Sequence, residues 1–312
     1  MTSTRFTDLV GCERPLQLAG MGDVSTVGLA TAVADAGGLG MLALPTSPAP
    51  SVEAALDALA GRTTGRIGSN FLMPFLDPDC VKVAGGGAHV VEFFYGEPDA
   101  DLVELVHRGG SVAGWQVGSA AEAAQAAEVG CDYVVAQGVE AGGHVRGRAS
   151  LWSVLGDVLD TVDVPVVAAG GLGTARAVAA AFAAGADAVR VGTRFVAAAE
   201  ADAHPDYAAA LVDATAADTE LTTAFSVMWP DAPHRVLRSS IEAARAHDGE
   251  TVGEVTVGSG TMPVPRLSPL MATKGFRGDA RATALYAGHS VDGVHGIQPA
   301  AEIVDELLAF VS

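Results

Sequence analysis

Short, uninterrupted apolar runs alternate with alanine-rich stretches of helical periodicity along most of this chain. PLQLAG, LGMLAL, GRIGSNFLM, AHVVEFFYG, SVAGWQV, DYVVAQ, VPVVAAG and AVRVG read as eight strands. Between them, STVGLATAVADAG, SVEAALDALAG, DPDCVKVAG, SAAEAAQAAEVG, LWSVLGDVLDTV and TARAVAAAFAAG read as helices, the first with Ser25 as its cap. Apolar runs without alternation mark strands buried on both faces, the pattern of a parallel sheet covered by helices. Eight strand–helix units, counting a last helix in VDGVHGIQPAAEIVDELLAFV, predict an α/β fold. A closed (β/α)8 TIM barrel accommodates them better than an open doubly wound sheet.

The pattern breaks after Phe195. Residues 203–287 carry Pro205, Pro230, Pro233, Pro263, Pro265 and Pro269, and show no clean strand–helix repeat. They read as an insertion between the eighth strand and the C-terminal helix, capping the barrel mouth, where active sites of this fold are built. The barrel itself then comprises residues 1–202 and 288–312.

Composition narrows the function. Of 312 residues, 49% are hydrophobic and only 5% aromatic, material for a large core with close helix-on-sheet packing. The net charge of −19, with Lys82 and Lys274 the two lysines, leaves no basic stripe for nucleic acid. Cys12, Cys80 and Cys131 are dispersed and form no metal or redox motif, which fits a reduced, cytosolic setting and no metal site. No run reaches the ~18 apolar residues of a membrane span, and MTSTRFTDLVG lacks a signal core, so a cytoplasmic protein is expected. The sequence leaves a homodimer open, because an apolar surface cannot be told from core.

Two turns carry candidate phosphate chemistry. VPVVAAGGLGTARAV sets Ala169, Gly170, Gly171 and Gly173 between a strand and a helix, and DAVRVGTRF repeats the device with Gly192 and Thr193. Bare backbone lets N–H groups approach an anion, and strands seven and eight are the usual phosphate site of this barrel. Glycines that only tighten the turns are the alternative for either motif alone. No GxGxxG or GxxxxGK[ST] occurs, so a mononucleotide such as FMN, or a phosphorylated substrate, is favoured over a dinucleotide. Other strand ends offer Gly20, Met21 and Gly22, Asn70, Gln116 and Gln137, amides that could bond the edge of a flat ring on which Met21 packs.

The segment AQGVEAGGHVRG follows the sixth strand and holds Ala141, Gly142, Gly143 and His144. Small residues around a lone histidine let the backbone and the imidazole lie close over such a ring. A neutral imidazole with ordinary pKa ~6.5 can take a proton from an acidified carbon near neutral pH, or orient an anion by hydrogen bonding. His107, His204 and His247 read as solvated; His289, with Ser290 in a Gly-His-Ser turn, is a weaker candidate for the substrate pocket. Lys274, Arg277 and Arg281 could draw a substrate carboxylate, although solvated charges are the better reading.

These residues resemble a family. AQGVEAGGH, AAGGLGTARAVAAAFAAGADAVRVGTRF and the N-terminal RFTDLVG…VSTVGLATAVADAGGLG look like nitronate monooxygenase, formerly 2-nitropropane dioxygenase, over residues 5 to about 200 and again near the C-terminus. The resemblance implies an FMN-dependent barrel that oxidises alkyl nitronates with O2 to a carbonyl compound and nitrite, without a metal. It implies His144 as catalytic base, phosphate contacts at Gly170, Gly171, Gly192 and Thr193, and flavin contacts at Gly20, Met21, Asn70, Gln116, Gln137 and Gly143. The chain departs where the family often has proline, at Gly20, and where a glycine–glutamine pair becomes Gly288-His289. The stretch between strands three and four is also short. An NAD(P)H-dependent flavin reductase on the same scaffold, of the enoyl-acyl-carrier-protein or quinone type, is the alternative activity. A barrel that binds flavin or phosphate without catalysis is the third reading.

Overall fold

A computed structural model describes residues 3–44, 47–257 and 260–311. Eight parallel strands close a barrel in the order β1 (Leu16–Leu18), β2 (Leu39–Ala43), β3 (Arg66–Leu72), β4 (Val90–Phe94), β5 (Val112–Val117), β6 (Tyr133–Gln137), β8 (Val166–Ala169) and β9 (Ala188–Val191). β9 returns to β1 with Gln17 opposite Arg190. The two-residue β7 (Gly143–His144) lies outside the barrel, in the loop after β6. Nearly every barrel-strand residue is buried, as expected where helices cover the sheet.

The outer ring consists of α2 (Val27–Asp35), α3 (Ala49–Ala60), α4 (Pro78–Gly87), α5 (Ala100–Gly109), α6 (Ala120–Glu128), α7 (Leu151–Leu159), α8 (Ala175–Ala183) and α12 (Ala300–Leu307); α1 (Arg5–Val10) precedes β1. Their apolar faces join the strands in one core that includes Phe6, Phe71, Phe93 and Trp115. The Phe93 and Trp115 rings lie 4.9 Å apart between strand and helix layers. Among the described residues no helix is long and apolar enough to cross a membrane.

Two sequence expectations shift. Thr26, not Ser25, caps α2: its extended backbone lets Oγ1 accept from Leu29 N, while Ser25 Oγ accepts from Met21 N at 3.0 Å and donates to the Ala19 carbonyl. Ser25 therefore shapes the turn that presents Met21. The closing helix is also shorter, since residues 289–293 form a 3-10 turn and Pro299 precedes the first helical residue.

Between β9 and α12 run α9 (Thr193–Val196), α10 (Pro205–Asp213), β10 (Thr219–Thr222), β11 (His234–Leu237), α11 (Arg238–Ala246), β12 (Thr251–Val257), β13 (Gly260–Pro265) and β14 (Arg277–Gly278). Phe225, Val236, Ile241, Val252, Val264 and Phe276 build a second, smaller core there. α10 instead packs on the barrel through Tyr207 and Leu211. β11 pairs antiparallel with β7, setting His234 opposite His144, so this segment is tied directly to the histidine loop.

Arg194 locks the last barrel turn to the closing helix. Its guanidinium is 1% exposed, donates to the Gly173 carbonyl at 2.8 Å and pairs with Glu306 at 2.7 Å. Replacing Arg194 with alanine is expected to cost on the order of 2–4 kcal/mol in urea unfolding, because a cavity opens and a buried acceptor loses its donor. Glu306→Gln, at the half-exposed partner, should cost under about 1 kcal/mol.

Candidate active site

A cavity of about 430 Å³ opens at the carboxyl ends of the barrel strands. The structure brings most of the sequence-derived candidates to its wall. Gly20, Met21 and Gly22 line it after β1, Asn70 from β3, Gln116 from β5, and Gln137 at the end of β6. Ala141, Gly142, Gly143 and His144 line it from the loop beyond. Ala169, Gly170 and Gly171 follow β8, Gly192 and Thr193 follow β9, and Ser290 closes the ring. His289 is turned aside: it does not line the cavity, its N–H donates to the Glu140 carbonyl at 2.9 Å, and its ring is influenced by Arg235, Glu140 and Asp292. Lys274, Arg277 and Arg281 also stay outside, with the Lys274 ammonium bound to the Ala201 carbonyl at 2.6 Å.

The two glycine turns form a cradle of unused donors. Outside the strand ladders, no hydrogen bond among the described residues uses the N–H of Gly171, Gly192 or Thr193. Gly170 and Gly171 have φ of 110° and 74°, a conformation L side chains seldom adopt. Free N–H groups at two neighbouring strand ends are the kind of donor set that an anion such as a phosphate requires. Thr193 Oγ1 accepts from Gly288 N at 3.1 Å, which fixes this turn against the segment entering Ser290.

The histidine loop explains its own glycines. A side chain at Gly142 would meet Gly288 N at 2.5 Å, whereas one at Gly143 would meet nothing, but φ of 77° favours glycine there. The imidazole that follows is held face-on to Trp229, with ring centroids 3.9 Å apart, and edge-on to Tyr95 at 5.8 Å. His144 Nε2 and Gln137 Oε1 are buried polar atoms with no hydrogen-bond partner, and the two residues are joined by a bond from Gln137 Nε2 to the His144 carbonyl at 3.0 Å. Burial, then the neighbouring His234, pushes the His144 pKa down to about 3. His234 is a fixed neutral ring: Nε2 accepts from Phe225 N at 3.2 Å, so Nδ1 carries the proton donated to the Ala232 carbonyl.

Several functional residues escaped sequence reasoning. Trp229, Met228, Leu270, Met271 and Tyr286 supply an apolar outer wall from the segment that lacked periodicity. Asp23 lines the cavity near β1, its carboxyl pushed up by burial and by Asp202. Arg190 is the one cationic side chain of the cavity wall among the described residues, and it pairs below with the fully buried Glu92. The signal for these two was available, since HVVEFF and DAVRVG each place one charge inside an apolar strand. No cluster of metal-ligating side chains occurs among the described residues.

The nitronate monooxygenase family pattern matches residues 3–81 and 77–309. A nitronate monooxygenase of Pseudomonas aeruginosa is 32% identical over 71% of this chain and 77% of its own length. A (3aS,4S,5R,7aS)-5-hydroxy-7a-methyl-1-oxo-octahydro-1H-indene-4-carboxyl-CoA dehydrogenase of Rhodococcus jostii is 34% identical over 81% of this chain and 70% of its own. The solved structure of FabK from Thermotoga maritima superposes with a TM-score of 0.83 and 30% identity, over 99% of this chain and 96% of that one. Barrel and capping segment are covered together, and the chain is an oxidoreductase of the nitronate monooxygenase family.

Proposed function

We propose that this enzyme oxidises alkyl nitronates with O2, using riboflavin 5′-phosphate held across the barrel mouth. The observation that carries the reading is the set of unused N–H groups of Gly171, Gly192 and Thr193 at the ends of β8 and β9, residues that line a cavity also lined by His144. They would take the phosphate. Asn70 and Gln116 each spend one end of the amide on the buried network below, leaving Asn70 Oδ1 as acceptor and Gln116 Nε2 as donor. Together they match the mixed donor–acceptor edge of a flavin ring. Bound flavin supplies electron acceptance from the nitronate carbon and passage of those electrons to oxygen.

His144 would bind and orient. At neutral pH its ring carries one proton and no charge, and its N–H can donate to a nitronate oxygen. A base whose pKa lies near 3 is poorly matched to a carbon acid that ionises near or above neutrality. Of the two roles read from the sequence, the structure therefore favours orientation of the anion over proton abstraction. Trp229 and Tyr95 beside the ring exclude water from that contact.

A second reading draws on the Rhodococcus relative, a dehydrogenase of a coenzyme A thioester by name. The apolar wall formed by Leu270, Met271 and Met228 suits such a carbon skeleton as well as an alkyl nitronate.

The purified protein is expected to be yellow, to release FMN on denaturation, and to consume O2 and form nitrite with propyl-2-nitronate. Anaerobic bleaching by a coenzyme A thioester, with no bleaching by nitronate, would replace the first reading with the second. His144→Asn should lower nitronate turnover by about tenfold, the worth of one hydrogen bond to a charged group. Any slow turnover of neutral nitroalkane would fall by ~10²–10⁴-fold if His144 were a base, which separates the two roles. The kcat/KM for nitronate should show no inflection near pH 6.5.

Stability should fall in acid for the same reason. The folded-state pKa of His144 lies below its unfolded value, so the contribution is complete above about pH 6.5 and is lost as pH falls from there toward 3. Between pH 7 and 5 this one group amounts to about 2 kcal/mol. His144→Asn should flatten the thermal-midpoint profile across that window.

A further inference from the structure

The floor of the cavity is a buried charge pair that catalysis by His144 does not use. Glu92 on β4 is fully buried and accepts from four donors: Gln17 Nε2 at 2.9 Å, Tyr133 Oη at 3.0 Å, Asn70 Nδ2 at 3.0 Å, and Arg190 Nη1. Arg190 Nη1 also donates to Gln116 Oε1 at 2.6 Å. The remaining guanidinium nitrogens, Nε and Nη2, have no acceptor among the described residues. Neither belongs to the sealed unpartnered atoms, and the side chain lines the cavity. Glu92 does not reach the cavity wall. The pair is thus a fixed dipole with its positive end turned toward the site.

Stability is a weak reason to keep such a pair, since a barrel interior filled with apolar side chains avoids the desolvation of two ions. Position suggests a better one. Arg190 stands two residues before Gly192, on the strand that ends in the phosphate cradle. In riboflavin phosphate the chain bearing the phosphate leaves the ring at N10, and the polar edge nearest that attachment is N1–C2=O. When the ring takes up two electrons and one proton, it gains one negative charge, spread over that same edge.

We infer that Arg190 sets the reduction potential of the bound flavin by holding positive charge against its N1–C2=O edge, with Glu92 as the positioning residue beneath. This rests on the flavin reading above and adds to it the group that tunes the ring. Gln17 and Tyr133 hold the carboxylate, and Gln116 holds the guanidinium, so the charge is preorganised before any electron arrives.

The test is the midpoint potential of FMN-loaded protein, measured anaerobically against a reference dye. Arg190→Gln should weaken binding of reduced relative to oxidised flavin by tenfold or more, a fall of about 30 mV or more for the two-electron couple. Glu92→Gln should move the potential upward, and the double variant should lie between wild type and R190Q. Arg190→Lys, which keeps the charge, should stay close to wild type. If R190Q does not fold because Glu92 is left unpaired, the comparison of R190K with the double variant decides, and the double variant must lie lower. Potentials that stay within about 14 mV of wild type throughout, a threefold change in relative affinity, or equal shifts of the same sign in R190Q and E92Q, would overturn the assignment. So would an R190Q variant that raises KM for nitronate at unchanged potential, since Arg190 would then anchor substrate. Wild-type protein that takes up no FMN overturns the flavin reading and this inference together; bound FMN with unmoved potentials overturns the role of Arg190 alone.

Discussion

Backbone N–H groups at the carboxyl ends of β8 and β9 are the constraint around which this site is arranged. A parallel strand that leaves the barrel gives up its ladder partner, and the chain must cover the exposed donor, hydrate it or use it. Here two successive left-handed glycines after β8 and a helix start after β9 leave the N–H groups of Gly171, Gly192 and Thr193 without a partner among the described residues. A Cβ on Gly171 would lie 3.1 Å from that of Glu140, a tight contact added to the left-handed φ that already favours glycine there. On the proposed reading an anion would be placed by backbone, and it would in turn set which way an attached ring runs across the mouth.

Beneath the mouth, the polar layer of the barrel is continuous with the cavity. Asn70 and Gln116 each have one end in the Glu92–Arg190 network and the other facing the site, so floor and wall share residues. The network is not fully satisfied, since Gln17 Oε1 is buried without a partner. That cost is intelligible if the layer exists to fix Arg190 rather than to stabilise the fold.

The barrel was legible because its strands are buried on both faces, which gives each an unbroken apolar run, and because most of the outer helices begin at a residue whose side chain caps them. Ser25 and Thr26 show the limit of that logic: two adjacent hydroxyls can each cap, and only backbone angles decide between them. The glycine turns and His144 were legible from small residues placed where a strand ends. Glu92 and Arg190 were visible as charges, but a continuous apolar run does not say which face a residue takes, so their meeting inside the barrel was not. Trp229 and His234 were hidden for another reason. They reach His144 through the antiparallel pairing of β7 with β11, a contact between segments far apart in sequence and without periodicity. His289 and Ser290 are neighbours in the chain, yet the 3-10 turn sends only Ser290 to the cavity.

The surroundings of His144 indicate the kind of substrate that completes them. A histidine meant to take a proton is commonly held by a carboxylate that stabilises the resulting charge. Among the described residues no carboxylate bonds this ring; its neighbours are an indole, two phenols and a second neutral imidazole. Burial without such a counter-ion disfavours a positive charge, and the ring stays neutral. The cavity therefore offers an uncharged donor on one wall and a guanidinium on its floor, and both favour a molecule that enters already carrying negative charge. A nitronate does so, and a neutral nitroalkane would have to lose its proton to a ring that has nowhere to stabilise it.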